Sequence, residues 1–501
     1  MPEGSFSFLF ASERSGYSHL YLYTYCPGIN GEQAVLIRPV SSGDWMVESI
    51  AGVDVDRDLV YLTGTYDSHL ERHLYAMPLT CRLGVGSTTE PTTEMEEPNG
   101  MRRGLSKVMN ALSGKSASKK SEDSGHLQNP TLSYHPYRLT DLSGMHSIVM
   151  DENCEVLADT SSDLDRPTSV RIFKIVHQGV GEYRSTQLKL LYTLFDALSE
   201  DAGNGNKRPN AAARKLYSAL PSPELISFPT SDGSETLNAA VYKPDPRIYG
   251  NGPYPLICAV YGGPHVQRVN RSWSQCADMR AQRFRSLGFC VVKCDNRGSS
   301  RRGLAFESSI SRRLGRLEVL DQVAAVRQLT VRGIADASRV GIYGWSYGGY
   351  LSAMCLCRAP DVFSCAVAGA PVTSWDAYDT HYTERYMGLP ADNPAGYREA
   401  AVFDHVPNMR GKLMIVHGLI DENVHFRHTA RLINRLVSCG KDYDLLLFPE
   451  ERHSPRRLRD RIYMEQRIGD FFVKHLSESP NALDLVSALG PSGLRNLAGH
   501  L

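Results

Sequence analysis

The sequence predicts an α/β protein: a doubly wound, mostly parallel sheet in the C-terminal half, preceded by a partial all-β propeller. Three observations predict it. From about residue 223, apolar strands alternate with helix-like stretches, as in a sheet covered on both faces. Before that point, short strands recur between Gly, Ser and Asp turns. Short echoes also repeat within that first part, as stacked antiparallel units of ~40–50 residues would require.

The first strands read as FSFLFA, HLYLYTY, AVLIRPV, LVYLTGTY and HLYAMPL. His19-Leu20-Tyr21 is echoed by His73-Leu74-Tyr75. Ser49-Ile50 is echoed by Ser147-Ile148, each followed by an Asp-rich turn and a further strand. On the strands alone, a generic β-sheet domain with chance echoes remains the alternative to propeller blades. Two stretches, about 84–130 and 200–214, are polar and poor in aromatics, and read as disordered surface insertions. At residue 224, ELISFPTSDGSETLNAAVYKP begins a hairpin with Asp232-Gly233 near its turn. Strands then follow at PLICAVYGG, FCVVKCDNRG, RVGIYGWS, CAVAGAPV, LMIVHG and LLLFPE. Helices fall at ADMRAQRFRSLG, LEVLDQVAAVRQL, YGGYLSAMCLCRAP, RHTARLINRLVSCG and DRIYMEQRIGDFFVKHL. The domain reading is 1–222 for the partial propeller with its insertions, 223–480 for the doubly wound α/β domain and 481–501 for a C-terminal tail.

Composition excludes several classes. Apolar residues at 42% and charged residues at 22% describe a globular chain of 501 residues rather than a disordered one. Lys+Arg 55 balances Asp+Glu 55, which argues against a nucleic-acid partner, since such proteins carry a basic excess. No apolar run reaches the ~18 residues needed to span a membrane. The N-terminal MPEGSFSFLFASERSG lacks the basic start and long apolar core of a signal peptide. Eleven cysteines, an odd and scattered set, do not form a secreted disulfide framework. Cys290 and Cys294, four strand steps or ~13 Å apart, cannot bridge each other. The expectation is a reduced, cytoplasmic protein.

Gly344-Trp345-Ser346-Tyr347-Gly348 matches G-x-S-x-G. Alone the pattern is weak; its setting between a strand and a helix is the setting of a nucleophile elbow, hence of an α/β-hydrolase. A serine hydroxyl needs a base, and the base needs an orienting carboxylate. In this fold the order is Ser, Asp, His, with acid and base just past later strands. Asp421 in LMIVHGLIDENVHF and His453 in LLLFPEERHS occupy those places. Glu422 is the alternative acid. His417, Asp421, His425 and His428 also cluster as metal ligands might, although a strand end and a helix start would aim them apart. The triad itself requires neither metal nor cofactor.

GWSYGGY around Ser346, PVTSWDAYDTHYTERYMG at 371–388, HGLIDENVHF at 417–426 and ERHSPRRLRDR at 451–461 resemble the dipeptidyl peptidase IV branch of the prolyl oligopeptidases, in particular its cytosolic and plant or protist members. The resemblance runs from about residue 5 to 476, apart from the two insertions. It implies release of N-terminal dipeptides with Pro or Ala second, and a homodimer. It makes Ser346, Asp421 and His453 the triad, and gives the oxyanion hole to the Tyr347 N–H and the Tyr261 hydroxyl. Tyr347, Val372, Trp375, Tyr378, Tyr382 and Val424 match the proline pocket, and Asn423 the holder of the penultimate carbonyl. A flat apolar ring suits such walls. The branch also uses a propeller segment with two glutamates that grip the substrate amine, and nothing here resembles it. Glu96-Glu97 lies in the acidic insertion, and Glu450-Glu451 belongs to the His453 loop. On this reading the chain starts in the middle of the propeller. Two other functions stay open: an acylaminoacyl-peptidase-like or esterase hydrolase without amine selection, and a non-catalytic interaction protein with a relict site.

Overall fold

Alternating and continuous apolar strands in the first part of the chain fold into antiparallel sheets in the computed structural model, which describes residues 3–27, 33–80, 135–177, 183–197, 215, 217 and 219–477. The insertions read at about 84–130 and 200–214, and the 481–501 tail, lie outside the described residues. All described residues belong to one compact unit.

β1 (Phe6–Ser12), β2 (His19–Tyr25) and β3 (Val35–Pro39) form a three-stranded sheet. β4 (Val47–Asp54), β5 (Leu59–Gly64), β6 (His73–Pro78) and β7 (Tyr137–Arg138) form a second, four-stranded one. A third holds β8 (Met145–Met150), β9 (Val156–Ser162), β10 (Ser169–His177) and β11 (Thr186–Asp196). Each is a sequential antiparallel meander, the build of a propeller blade. β5 and β6 are buried along their whole length. Leu59, Tyr61, Leu74 and Ala76 of the second sheet join Leu157 and Ile175 of the third in one apolar cluster.

The sequence echoes fall on equivalent places. Buried His19 on β2 bonds the Ser41 hydroxyl just past β3, and buried His73 on β6 bonds the Thr140 hydroxyl just past β7, at 2.9 and 3.0 Å. The same two hydroxyls accept from the N–H of Leu20 and of Leu74. Thus β2 stands to β3 as β6 stands to β7. Ser49 and Ser147 lie on β4 and β8, the first strands of their sheets.

The second part of the chain forms an eight-stranded sheet from β12 (Glu224–Pro229), β13 (Thr236–Tyr242), β14 (Tyr254–Val260), β15 (Cys290–Asp295), β16 (Ala335–Trp345), β17 (Cys365–Gly369), β18 (Lys412–Gly418) and β19 (Asp444–Phe448). Its order is β12-β13-β15-β14-β16-β17-β18-β19. The hairpin β12-β13 attaches antiparallel, with its turn at Asp232-Gly233, and the other six strands are parallel. The longer helices are α1 (Met279–Ser286), α2 (Leu317–Val331), α3 (Tyr347–Arg358), α4 (Thr380–Met387), α5 (Arg427–Ser438) and α6 (Leu458–Leu476). Ala281 and Phe284 of α1 and Met464, Ile468 and Phe472 of α6 fill the core on one face. Val319, Val323, Tyr350, Leu351, Leu432 and Leu436 of α2, α3 and α5 fill the other. Each Val, Leu, Ile, Phe or Met among them contributes roughly 1.5–3 kcal/mol when fully buried.

From β14 the chain passes to β15 on one side and later to β16 on the other. At such a reversal a crevice opens beyond the strand C-termini. The blades meet this domain through paired charges. Arg301 binds Glu48 at 2.9 Å, and Glu48 also takes Arg72 at 2.8 Å. Arg271 binds Asp163 at 2.9 Å.

Candidate active site

The loops after five neighbouring strands supply the predicted site residues: Tyr261 after β14, Ser346 after β16, Val372 to Tyr378 after β17, Asp421 to Val424 after β18, and His453 after β19. Parallel register brings their starting points level, with Val260 paired to Gly344, Trp345 to Gly369 and Gly418 to Phe448.

Ser346 sits at φ 58°, ψ −116°, between β16 and the first turn of α3. A non-glycine residue there costs about 1–3 kcal/mol, and the surroundings over-determine it. Its N–H donates to the Gly369 carbonyl at 2.8 Å. The flanking glycines are required by contact. A Cβ at Gly344 would stand 2.4 Å from the Gly348 carbonyl oxygen, and one at Gly348 would stand 2.4 Å from that of Val260. Tyr347 opens α3, where the first backbone N–H groups have no helical partner and can take an anion.

The structure brings Asp421 and His453 together directly: His453 Nδ1 donates to Asp421 Oδ2 at 2.8 Å. Asp421 Oδ1 accepts the N–H groups of Asn423 and Val424, both at 2.9 Å. Burial works to raise the Asp421 pKa, but hydrogen bonds from His417 and His453 outweigh it and hold the carboxyl below its ordinary range. Asp421 therefore stays an anion, able to orient the imidazole and stabilise its charged form. Ser346 is tied to the base loop through its neighbour: Trp345 Nε1 donates to the His453 carbonyl at 2.6 Å. That loop closes over Gly418, where a Cβ would stand 2.2 Å from the Arg452 carbonyl oxygen.

Glu422 is exposed and pairs with Arg452 at 3.1 Å, while the His453 Nδ1 bond goes to Asp421. Among the described residues no group of His, Cys, Asp and Glu is arranged to hold a metal. His417 instead buttresses the acid. It is fully buried; Nε2 donates to the Val424 carbonyl at 2.8 Å and lies 3.2 Å from Asp421 Oδ2, while Nδ1 meets the Thr429 hydroxyl at 2.8 Å. His428 braces the neighbouring loop: Nδ1 accepts the Thr373 N–H, and Nε2 donates to the Ala377 carbonyl, both at 3.2 Å. Burial lowers its pKa to about 4, so the ring is neutral.

An aromatic box adjoins the serine. Trp375 lies 5.5 Å from Tyr347, 5.9 Å and stacked from Tyr382, and 6.0 Å edge-on from Tyr378. Tyr261 lies 5.9 Å from Tyr347, a packing that Gly263 permits, since a Cβ there would stand 2.7 Å from the Tyr347 ring. Val372 and Val424 are buried beside them. The Tyr378 hydroxyl donates to Asn423 Oδ1 at 2.7 Å, leaving the Asn423 amide N–H₂ as its donor end. Burial raises the phenol pKa of Tyr261 and takes that of Tyr378 to about 12, so both remain hydrogen-bond donors. Sequence reasoning missed Tyr386, 4.8 Å from Tyr382, and Tyr350, 5.1 Å from Trp375, which extend and back this box. It also missed Glu318, whose carboxylate accepts the Tyr347 hydroxyl at 2.7 Å. The available signal was polarity out of place: Glu318, Asp321 and Gln322 all occupy the buried stripe of α2.

Fold and elbow together define an α/β-hydrolase built around a serine. Comparisons with known proteins narrow the class. A profile of the prolyl oligopeptidase family matches residues 275–479, and one of the dipeptidyl peptidase IV N-terminal region matches residues 2–110. Human dipeptidyl peptidase 8 is 33% identical over 97% of this chain and 49% of its own length. Pig dipeptidyl peptidase 4 is 40% identical over 42% of the chain and 27% of its own length. The crystal structure of Porphyromonas gingivalis dipeptidyl peptidase 4 superposes with a TM-score of 0.70 at 26% identity, covering 94% of this chain and 55% of that one. The chain is thus similar to prolyl oligopeptidase family members over residues 275–479 and to the dipeptidyl peptidase IV N-terminal region over 2–110, and it spans about half the length of dipeptidyl peptidase 8.

Proposed function

We propose that this chain is a serine peptidase that removes N-terminal dipeptides with Pro or Ala in second place. The single observation that carries the reading is the Asp421–His453 hydrogen bond at the strand ends beside the Ser346 elbow. In this mechanism His453 takes the Ser346 proton as Oγ attacks the carbonyl after the second residue. The Tyr347 N–H and the Tyr261 hydroxyl hold the oxyanion; losing one such donor typically costs about 3–4 kcal/mol. His453 then protonates the departing amine, the C–N bond breaks, and water releases the dipeptide from the acyl-enzyme. The box of Tyr347, Val372, Trp375, Tyr378, Tyr382 and Val424 receives the pyrrolidine ring, and Asn423 the penultimate carbonyl. Ten described cysteines, all free, favour a reducing cytoplasmic setting; no described helix is long and apolar enough to cross a membrane.

A second reading, hydrolysis without selection of a free amine, is favoured by the fate of the nearby glutamates. Glu450 pairs with Arg457, and Glu451 is buried, accepting the N–H groups of Arg456 and Arg457. Glu96-Glu97 lies outside the described residues. Hydrolysis of Gly-Pro-anilide and its N-blocked analogue, with Ser346→Ala as blank, tests both. Cleavage of the free-amine substrate alone supports the first reading and cleavage of both supports the second. No Ser346-dependent cleavage of either overturns them together.

A further inference from the structure

We propose that Glu318 is a positioning residue that locks Tyr347, and through it both the oxyanion N–H and one wall of the ring pocket; this rests on the function proposed above. Glu318 opens α2, is completely buried, and accepts two hydrogen bonds on one oxygen. Oε1 takes the Gly315 N–H at 2.8 Å and the Tyr347 hydroxyl at 2.7 Å. Oε2 is buried and has no partner. A carboxylate so placed is costly, and an apolar side chain would serve the helix better. Polar groups kept against local preference mark functional sites.

The target of that carboxylate makes it informative. Tyr347 is the one residue that would act twice, with its backbone beside the nucleophile and its ring between Tyr261 at 5.9 Å and Trp375 at 5.5 Å. Its hydroxyl points away from the pocket, into the core, and its bond to Glu318 fixes the tilt of the ring. Rotating the ring would break that bond or drag the first turn of α3, and the N–H of Tyr347 belongs to that turn. Gly315 completes the fit: a Cβ there would stand 2.2 Å from the Tyr350 hydroxyl, so the backbone that donates to Glu318 is pressed against the next tyrosine of the box. Tyr350 stacks edge-on with both Tyr347 and Trp375, at 5.3 and 5.1 Å. Glu318 thus braces Tyr347 directly and Tyr350 through Gly315, and it is itself completely buried.

The test compares Glu318→Leu, Glu318→Gln and, as a control on the exposed face of α2, Leu320→Ala. Kinetics on Gly-Pro-anilide are expressed per serine titrated with a fluorophosphonate, which removes any loss of folded enzyme from the comparison. Glu318→Leu is expected to lower kcat and raise KM, each by about tenfold, because wall and oxyanion donor move together. Glu318→Gln keeps an acceptor for the Tyr347 hydroxyl and should recover both to within about threefold. A purely structural role would reduce the titrated fraction and leave kcat and KM of the remainder unchanged, and that result overturns the proposal. So does a Gln variant no better than Leu. The second-order rate of fluorophosphonate labelling gives a readout independent of peptide specificity. If the wild type labels but leaves Gly-Pro-anilide intact, the substrate reading fails by itself. Labelling about tenfold slower in the Leu variant still supports the role of Glu318, and an equal rate refutes it.

Discussion

Asp421→Asn should disable the site by fixing the wrong tautomer on His453, with the fold left intact. The hydrogen-bond geometry decides which way the new amide turns. Asp421 Oδ1 accepts two backbone N–H groups at 2.9 Å, so an –NH₂ there would face two donors. The amide nitrogen must therefore replace Oδ2, the atom that His453 Nδ1 reaches at 2.8 Å. His417 Nε2 keeps its proton because the Val424 carbonyl, 2.8 Å away, can only accept. His453 Nδ1 is then forced to accept, which puts its proton on Nε2, the nitrogen that takes the Ser346 proton in the proposed mechanism. Loss of the right tautomer and of the anion that stabilises imidazolium lowers kcat by ~10⁴-fold in serine triads, or about 5.4 kcal/mol. The pocket residues are untouched, so KM should stay within about threefold. Steady-state kinetics on Gly-Pro-anilide, with a thermal melt beside them, read both quantities. A fall in kcat below about thirtyfold in a folded variant would refute the tautomer argument.

Two further predictions follow from the same contacts. Burial raises the Glu318 carboxyl from 4.5 to about 7, with Asp321 on the same helix adding to the rise and the Tyr347 hydrogen bond opposing it; the Tyr350 hydroxyl and Cys355 thiol of α3 also face it. Between those pH values the native state holds a proton that the unfolded chain has lost, so this group's contribution to stability falls as pH rises; Glu318→Gln should match wild type near pH 4.5 and exceed it by about 3 kcal/mol above pH 7. Chemical denaturation at pH 5 and pH 8 checks this, and an equal difference at both would contradict it. Trp345→Phe removes the donor to the His453 carbonyl and should lower kcat several-fold while costing about 1 kcal/mol of stability; unchanged kcat would mean that the base loop is held by other contacts alone.

Much of the α/β half was legible because its signals are local. Continuous apolar runs mark β14 to β19, and the candidate residues fall on the loops that follow them, so Ser346, Asp421 and His453 could be read as an ordered set. Blade strands were harder. β10 and β11, SVRIFKIVH and TQLKLLYTLFD, were not singled out, because β11 leaves Leu190, Leu191, Tyr192, Leu194 and Phe195 exposed, so no one-sided alternation develops. β7 has two residues and pairs with β6 from far along the chain. Within the site, His417 and His428 drew notice as metal ligands through their spacing, yet each ring is held in part by backbone atoms. The Val424 carbonyl, the Thr373 N–H and the Ala377 carbonyl carry no sequence signature. Glu318 showed only as a polar residue out of place on α2, since its partner, the Tyr347 hydroxyl, lies on another helix.

The division of labour among these contacts follows from where the groups are mounted. The candidate serine, acid and base stand on separate loops, the pocket residues are shared among these and the loop after β17, and a catalytic constellation needs its side chains held to ~0.5 Å. What holds them is cross-bracing between neighbours: Trp345 to His453, Tyr378 to Asn423, His417 to Val424, and His428 to Thr373 and Ala377. Each such bond contributes about 0.5–1.5 kcal/mol net. Removing one therefore loosens the alignment and slows the reaction several-fold, because the remaining braces still define the geometry. Asp421 differs in kind. Its substitution leaves the braces standing and changes which nitrogen carries a proton, so its effect is set by the chemistry rather than by alignment. The sizes of these effects separate the two roles: tenfold or less marks a residue that aligns a loop, and thousands mark one that sets the tautomer and charge of the proposed base.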